Sequence, residues 1–340
     1  MLVTAVNKRS DLVLARLHNQ KLTSPGFEKP VDVVRWLGAV QAQDFNAAKW
    51  ALALRMRKAT DTTVETAFNT GEILRTHVMR PTWHFVAPED IRWLLQLTAP
   101  RVNLRAGPNY RKFELDGAVF KRSNKIFAKA LGGGKHLTRP ALKSLLNADG
   151  IEVTDPVRLA HILLRAELDG VICSGPRVGK QFTYALLEER APASKTLDRD
   201  EALAELTRRY FRSHGPATLQ DFVWWSGLTV EDARRGMAQV GTPRPARTKQ
   251  SRNSAHLLPA FDEYFVAYKD RQILAGSLAT WDLLGPTFII DGIAAGRWKR
   301  TNSGTIELNP SRALNKSEKL ALQEAIDRYV SYLGDISRRR

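Results

Sequence analysis

The fold is most directly indicated by residues 138–185, TRPALKSLLNADGIEVTDPVRLAHILLRAELDGVICSGPRVGKQFTYA. Thr138 and Asp155 are residue types that cap helices, and each has a proline within the next two positions, where the first turn accepts it. Leucines and other apolar residues follow both caps at helical spacing. Two short apolar segments, Val171–Cys173 and Gln181–Ala185, then flank a Gly-Pro turn. The sequence therefore predicts a helix-turn-helix followed by a β-hairpin, which is the winged-helix pattern.

Two further segments show the same succession of elements. Downstream, an apolar helix around residues 202–211 precedes two helices that Thr218 and Thr229 are expected to cap. Upstream, the pattern predicts helices over 12–22, 31–40, 47–57 and 62–69, strands over 73–79 and 83–86, and a helix over 88–97. Asn46 is expected to cap the third of these helices.

The C-terminal part of the chain has a different pattern. Apolar and polar residues alternate from Leu257 to Glu307, which predicts strands, and Ser317 is expected to cap a terminal amphipathic helix. We therefore predict an α+β fold, mostly α, with three tandem winged-helix (helix-turn-helix) domains and a β-rich C-terminal portion. The expected boundaries are 1–125, 126–195 and 196–250 for the winged-helix domains, and 251–340 for the C-terminal portion, whose last helix packs on the others.

The composition narrows the class of protein. The 340 residues include 52 Lys and Arg against 35 Asp and Glu, so the formal net charge is +17, and 43% of the residues are hydrophobic, which argues against wholesale disorder. The single cysteine excludes an intramolecular disulfide. We expect a cytoplasmic, nucleoid-associated protein, because the sequence lacks an apolar run of about 18 residues and an apolar signal segment. The positive charge favours a polyanionic partner such as DNA, and the alternative is a basic surface without a binding role.

The basic residues are concentrated in runs, and aromatic residues are interleaved with them between Arg101 and Lys135. Such runs fit either phosphate contact or a solvated helix face. The residues expected to bind DNA are Arg101, Arg105, Arg111, Lys112, Lys121, Arg122, Lys125, Lys135, Arg177, Lys180, Arg244, Arg247, Lys249, Lys269 and Arg271.

Common catalytic and metal motifs are absent from the sequence. It contains no G-x-S-x-G, no H-E-x-x-H and no paired C-x-x-C, and Cys173 falls in a predicted strand, where an inert thiol is expected. The run Gly132-Gly133-Gly134-Lys135 lacks the spacing of a phosphate-binding loop and is interpreted as a linker. We expect no metal and no cofactor.

The segment Gln41-Ala42-Gln43-Asp44 is the main candidate for chemistry, because it lies between two predicted helices. Two amides separated by one small residue point to similar sides of an extended backbone. They can hold a water molecule or a nucleobase edge in a fixed orientation, but an amide is no strong base. The reaction is then limited to one with an activated leaving group, and the alternative is an ordinary capping loop.

Two other clusters are expected to line a site. The first surrounds a predicted hairpin, where two histidines either line the site or simply bond to the backbone. In the second, Asp262 and Glu263 form either an acid/base pair or a structural ion-pair network with Lys269 and Arg271. Together with Asp44, the expected site-lining residues are Thr76, His77, Arg80, Trp83, His84, Asp262, Glu263 and Tyr264.

Five blocks of this sequence resemble the bacterial winged-helix DNA glycosylases of the AlkZ type, over nearly the whole chain. They are residues 41–43 (QAQ), 75–84 (RTHVMRPTWH), 215–218 (GPAT), 224–228 (WWSGL) and 257–264 (LLPAFDEY). The resemblance implies a concave, basic DNA-binding channel and monofunctional excision of N-alkylated purines, bulky or crosslinked adducts included. It also implies that Gln41 and Gln43 are catalytic, because they match the family's glutamine–apolar–glutamine motif. A sister branch has Asp at the second position, so Gln43 groups this chain with the two-glutamine branch.

Two other classes of function stay open at this point. A DNA-binding regulator without chemistry would use the same winged helices, although the sequence shows no sensor domain. A protein–protein scaffold would have little affinity for DNA even at low salt. For a glycosylase, the expected partner is double-stranded DNA, with no membrane and no obligate protein partner, and a monomer would suffice.

Overall fold

The computed structural model describes residues 9–241 and 254–334. Three of the residues expected to bind DNA, Arg244, Arg247 and Lys249, lie outside these ranges. In the described ranges, the helices are α1 Arg9–Asn19, α2 Pro30–Leu37, α3 Phe45–Ala53, α4 Asp61–Thr70, α5 Ile91–Lys112, α6 Gly117–Leu131, α7 Arg139–Ala148, α8 Pro156–Leu168, α9 Leu187–Arg190, α10 Arg199–His214, α11 Leu219–Ser226, α12 Val230–Val240, α13 Glu263–Val266 and α14 Lys316–Leu333. The strands are β1 Val40–Gln41, β2 Leu74–His77, β3 Trp83–Val86, β4 Leu137–Thr138, β5 Ile172–Ser174, β6 Thr183–Leu186, β7 Ala255–Leu258, β8 Thr287–Ile290, β9 Ile293–Arg300 and β10 Ile306–Pro310.

The prediction of a mixed α and β fold with a β-rich C-terminal portion is confirmed, and about half of the chain is helical. The chain forms two compact units. Unit 1 takes its residues from Met1–Glu65, Ala204–Trp225 and Thr229–Arg340, and unit 2 from Thr66–Leu203 and Ser226–Leu228. The division into three winged helices with the boundaries given above stays a prediction.

Unit 2 contains the segment from which the fold was predicted, and its elements follow in the expected order. Thr138 caps α7 by accepting from the N–H of Ala141, and Asp155 caps α8 by accepting from that of Val157. The strands β5 and β6 then pair antiparallel, with β4 on the other side of β6. The hairpin of β2 and β3 also belongs to this unit and aligns Thr76 with His84. Helix α6 was not predicted, because its sequence was interpreted only as a run of charges.

Unit 1 contains the β-rich C-terminal portion. Its antiparallel sheet has the order β10-β9-β8-β7, and the buried leucines of β7 contribute to the core. The terminal helix α14 begins two residues earlier than expected, since Asn315 rather than Ser317 is its cap and forms a capping box with Glu318. Leu322 is buried on this helix, whereas Leu320 and Val330 are exposed.

Candidate active site

The Gln41-Ala42-Gln43 segment connects helices α2 and α3 of unit 1. Helix α2 ends at Gly38, whose φ is +88° and whose N–H donates to the carbonyl of Val34 at 2.8 Å. Glycine suits this left-handed turn, and a Cβ there would lie 3.4 Å from the Trp225 ring. The turn leads the chain into the short strand β1, and α3 begins at Phe45. The two glutamines therefore lie on a short connection between two buried helices.

Side-chain exposure rises along this connection. Ala39, Val40 and Ala42 are buried, Gln41 is partly accessible, and Gln43 is exposed. Gln41 ends strand β1, and Gln43 lies in the bend that leads into α3. Asp44 follows and caps α3, since its carboxylate accepts from the N–H of Ala47 at 3.0 Å. The expected cap at Asn46 was wrong, because the helix begins one residue before it.

Glu263 joins this connection to the core of unit 1. Its side chain is fully buried at the start of α13. One carboxylate oxygen, Oε1, accepts from the N–H of Gln41 at 2.8 Å. The other, Oε2, accepts from the indole Nε1–H of Trp225 at 2.9 Å and lies 3.6 Å from Nε2 of His214. The structure thus brings together two of the residues that the sequence singled out, Gln41 and Glu263.

Asp262 has a different set of partners. It caps α13 by accepting from the N–H of Tyr264 at 2.8 Å, and it forms a bidentate ion pair with Arg55 at 2.8 and 3.0 Å. The expected network with Lys269 and Arg271 was wrong. The amide N–H of Lys269 donates to Asp221, and Nε of Arg271 donates to the carbonyl of Phe265. The physical reason is the direction of the side chains. The carboxylates of Asp262 and Glu263 point into the core, whereas the charged groups of Lys269 and Arg271 do not.

A polar network extends from these carboxylates. Gln20 accepts from Arg55 at 2.9 Å and donates to the hydroxyl of Tyr268 and to the carbonyl of Glu263, each at 3.2 Å. Tyr268 in turn donates to the carbonyl of His214 at 2.7 Å. Tyr264 is fully buried and donates to the carbonyl of Gly292 at 3.0 Å. The Tyr264 hydroxyl therefore stabilises the backbone turn at Gly292.

Sequence reasoning did not single out several members of this network as site residues. They are Gln20, Arg55, His214, Trp225 and Tyr268. For Arg55, the sequence contained a signal. An arginine at the end of an apolar helical face is expected to be buried, and a buried cation requires a partner. For the others, the partners come from remote parts of the sequence, so no local pattern indicates them.

His214 is fully buried in this network. Burial is the main cause that lowers the pKa of its imidazole below the usual value, and the nearby Glu263 only partly offsets this effect. Its Nδ1 lies 2.8 Å from the hydroxyl of Ser213, and its ring stacks on that of Tyr210 at 5.0 Å.

The other predicted cluster belongs to unit 2. His84 contacts the carbonyl of Thr82 through Nδ1 at 2.9 Å, and its Nε2 lies 3.3 Å from Nη2 of Arg80. His77 instead contacts the carboxylate of Glu167, a partner that sequence reasoning missed. Of the two histidines, only His84 follows the expectation of a bond to the backbone.

The other two members of this cluster, Trp83 and Thr76, differ in their contacts. The ring of Trp83 lies 4.4 Å from that of His77, and its Nε1 donates to Glu167 at 3.4 Å. Thr76 is fully buried, and its hydroxyl has no hydrogen-bond partner within residues 9–241 and 254–334. These residues belong to unit 2, whereas the glutamines belong to unit 1, and the role of this cluster in lining a site stays a prediction.

Most of the described basic residues expected to bind DNA are exposed. Exposed members are Arg105, Arg111, Lys112, Lys121, Arg122, Lys125, Lys135, Lys180 and Lys269, and the half-buried ones are Arg101, Arg177 and Arg271. Arg122 forms an ion pair with Asp149 at 2.6 Å. Six of the exposed residues, from Arg105 to Lys125, lie on the consecutive helices α5 and α6.

The side chains that often carry other chemistries are engaged or buried. Cys173 is fully buried, and burial raises the pKa of its thiol to about 12. The N–H groups of Gly133 and Gly134 donate to the carboxylate of Glu189 at 2.8 and 2.7 Å, which lowers the pKa of Glu189.

Within the part of the chain that the structure describes, no three His, Cys, Asp or Glu side chains are grouped so as to hold a metal ion. No described helix is long and apolar enough to cross a membrane.

Comparisons with known proteins identify the family of this chain. The family model "DNA glycosylase AlkZ-like" matches residues 34–332. A relative from Streptomyces sahachiroi described as an "Interstrand DNA cross-link repair glycosylase" is 25% identical over 306 residues, which are 79% of this chain and 81% of the relative. The solved structure of Streptomyces sahachiroi DNA glycosylase AlkZ has the same fold, with a TM-score of 0.79 over 96% of both chains at 22% identity. On the extent of the family match, this chain belongs to the AlkZ-like DNA glycosylase family.

Proposed function

We propose that this protein hydrolyses the N-glycosidic bond of purines alkylated at N7 or N3 in double-stranded DNA. One observation carries the proposal. Gln41 and Gln43 are accessible on either side of a fully buried Ala42, on a connection held by a buried carboxylate. Two amides that share one side of a fixed backbone can orient a water molecule between them. In this proposal, Gln41 and Gln43 are the catalytic residues.

The chemistry of the substrate fits side chains that do not titrate. Alkylation at N7 or N3 gives the purine a positive charge, so the base departs without being protonated. The enzyme then needs to place a water molecule near C1′ and to stabilise an oxocarbenium-like sugar. Neutral amides suit the first task and do not repel a cationic base. The nearby DNA phosphates supply negative charge for the second.

The proposed reaction is monofunctional, since attack by water leaves an abasic site and forms no covalent intermediate with the protein. We extend the substrates to bulky or crosslinked N7 adducts on the strength of the relative described as an interstrand cross-link repair glycosylase. Such adducts are too large for a tight base-flipping pocket, so the lesion is proposed to stay in the groove. Asp44 is assigned no chemical step, because its carboxylate caps α3.

The exposed basic side chains of α5 and α6 are proposed to contact the phosphate backbone. Such contacts fix register and orientation without reading sequence, as a repair enzyme requires. The protein is proposed to act as a monomer in the cytoplasm at the nucleoid, because one chain contains both the glutamines and the basic helices.

The test is base release from four matched duplexes. They carry guanine, N7-methylguanine, a bulky N7 adduct or an N7-linked interstrand crosslink at one position, and release is read as an alkali-cleavable abasic site. Release from any alkylated duplex but not from the guanine control supports the proposal. No release from any duplex, together with tight binding to one undamaged sequence, would instead favour a DNA-binding regulator.

A further inference from the structure

We propose that Glu263 is a positioning residue of the reaction, which holds the backbone of Gln41 so that both glutamines face the reacting sugar. This inference rests on the proposed function. Glu263 has no assigned role in catalysis, and it lies 222 residues from Gln41 in the sequence. The assignment follows from what its two oxygens bind.

Each oxygen of the carboxylate accepts from an N–H of a different element. Oε1 binds the backbone N–H of Gln41 at 2.8 Å, and Oε2 binds the indole N–H of Trp225 at 2.9 Å. The two donors come from different elements, strand β1 and helix α11. A buried carboxylate is stabilised by such donors, and hydrogen bonds to an ionised acceptor are stronger than those to a neutral one. Glu263 therefore ties the glutamine connection to a helix of the core.

The contact acts on the backbone of the motif. Gln41 precedes the fully buried Ala42, so a shift of its N–H displaces the whole connection. If the acceptor is lost, a partly buried N–H has to find another partner, and the segment relaxes toward it. Displacement by 1 Å costs a positioned reaction about 100-fold in rate. The contact thus links a core carboxylate to the orientation of two accessible amides.

An amide cannot replace this carboxylate, although it has the same shape. The substitution Glu263→Gln leaves one oxygen and introduces an NH₂ group, while both partners are N–H donors. One of the two contacts then becomes donor against donor. Trp225→Phe removes the indole donor, so the amide oxygen is free to accept from Gln41. The double variant Glu263→Gln/Trp225→Phe should therefore regain excision rate that Glu263→Gln loses.

The experiment compares Glu263→Gln, Trp225→Phe and their combination with the wild type in single-turnover excision of N7-methylguanine. Glu318→Gln is the matched control, because Glu318 is another acidic residue of unit 1, bonded to Arg312 and to a helix cap. We expect about 100-fold slower excision for Glu263→Gln at unchanged duplex affinity, and recovery by about tenfold in the double variant. A purely structural role predicts additive losses instead, because both changes disturb the core.

The inference is overturned if Glu263→Gln excises at the wild-type rate, or if the double variant is no faster than the single one. Should Glu263→Gln not fold, Glu263→Asp is used, since its shorter side chain cannot span both donors. A slowed reaction supports the inference, and a wild-type rate contradicts it.

A second readout is independent of activity. The Gln41 amide proton should exchange slowly in the wild type and faster in Glu263→Gln, as measured by NMR. Equal exchange rates would refute the contact itself. If the wild type releases no base from any alkylated duplex, the proposed function fails, while the exchange measurement still decides on the contact.

Discussion

Arg55 and Asp262 form a bidentate ion pair inside unit 1, with N–O distances of 2.8 and 3.0 Å and both side chains fully buried. The pair joins the end of α3 to the start of α13, which are 207 residues apart in the sequence. The ion pair therefore fixes the start of α13, where the Glu263 side chain accepts from the backbone N–H of Gln41.

Asp262→Asn is expected to lower the free energy of unfolding by about 3 to 5 kcal/mol, because it leaves Arg55 buried without a counter-charge. Denaturant-induced unfolding of the wild type and of Asp262→Asn measures this loss of free energy. The control is Asp282→Asn, which breaks an ion pair with Arg297 whose side chains are 36% and 38% exposed. An exposed pair contributes at most about 1 kcal/mol, so equal losses in the two variants would contradict the account.

His256 should make the protein sensitive to acid. Burial, followed by the charges of Arg328 and Arg55, lowers the pKa of this imidazole from 6.5 to about 3. Between these two values, the unfolded chain binds a proton that the folded chain does not. The contribution of His256 to stability is therefore constant above pH 6.5 and is lost as the pH falls from 6.5 toward 3.

The size of this effect is about 1.4 kcal/mol for each pH unit, or about 2 kcal/mol between pH 6.5 and pH 5. The measurement is the free energy of unfolding of the wild type and of His256→Leu at both pH values. The variant should lose about 2 kcal/mol less on acidification. Parallel curves for the two proteins would show that His256 titrates normally in the fold.

Lys121 and Lys125 on α6 are expected to bind phosphates. Removing both charges in Lys121→Gln/Lys125→Gln should reduce the slope of log K against log salt by about 2, because each phosphate contact releases about one counterion. Fluorescence anisotropy with an undamaged duplex measures the slope. The same substitutions at the exposed Lys316 and Lys319 of α14 are the control, which should change the slope little. Identical slopes for both pairs would mean that α6 does not contact DNA.

Local features of the sequence predicted much of the fold. Thr138, Asp155, Thr218 and Thr229 all accept from an N–H near the start of the helix that each was expected to cap. A cap side chain bonds to backbone only two or three residues away, so its evidence is contained in a short stretch of sequence. Where two cap residues stand close together, the pattern predicted the wrong one, since Asp44 rather than Asn46 and Asn315 rather than Ser317 are the caps.

The candidate site was predicted only in part, because its contacts are long-range. The spacing of Gln41 and Gln43 predicted two amides on one side. Both residues are accessible in the structure, and their shared orientation stays a prediction. The partners of Asp262 and Glu263 were not predicted, since Arg55, Gln41 and Trp225 lie in other elements. A buried carboxylate in this segment indicates only that hydrogen-bond donors exist, and the fold decides which ones they are.

We propose that Gln41 and Gln43 carry out the excision of alkylated purines. The most direct test is single-turnover release of N7-methylguanine by the wild type and by Gln41→Ala/Gln43→Ala, each at a concentration that saturates the duplex. The account predicts that the wild type releases the base and that the double variant binds the duplex but releases it at least about 100-fold more slowly. Release at the wild-type rate by the double variant would contradict it.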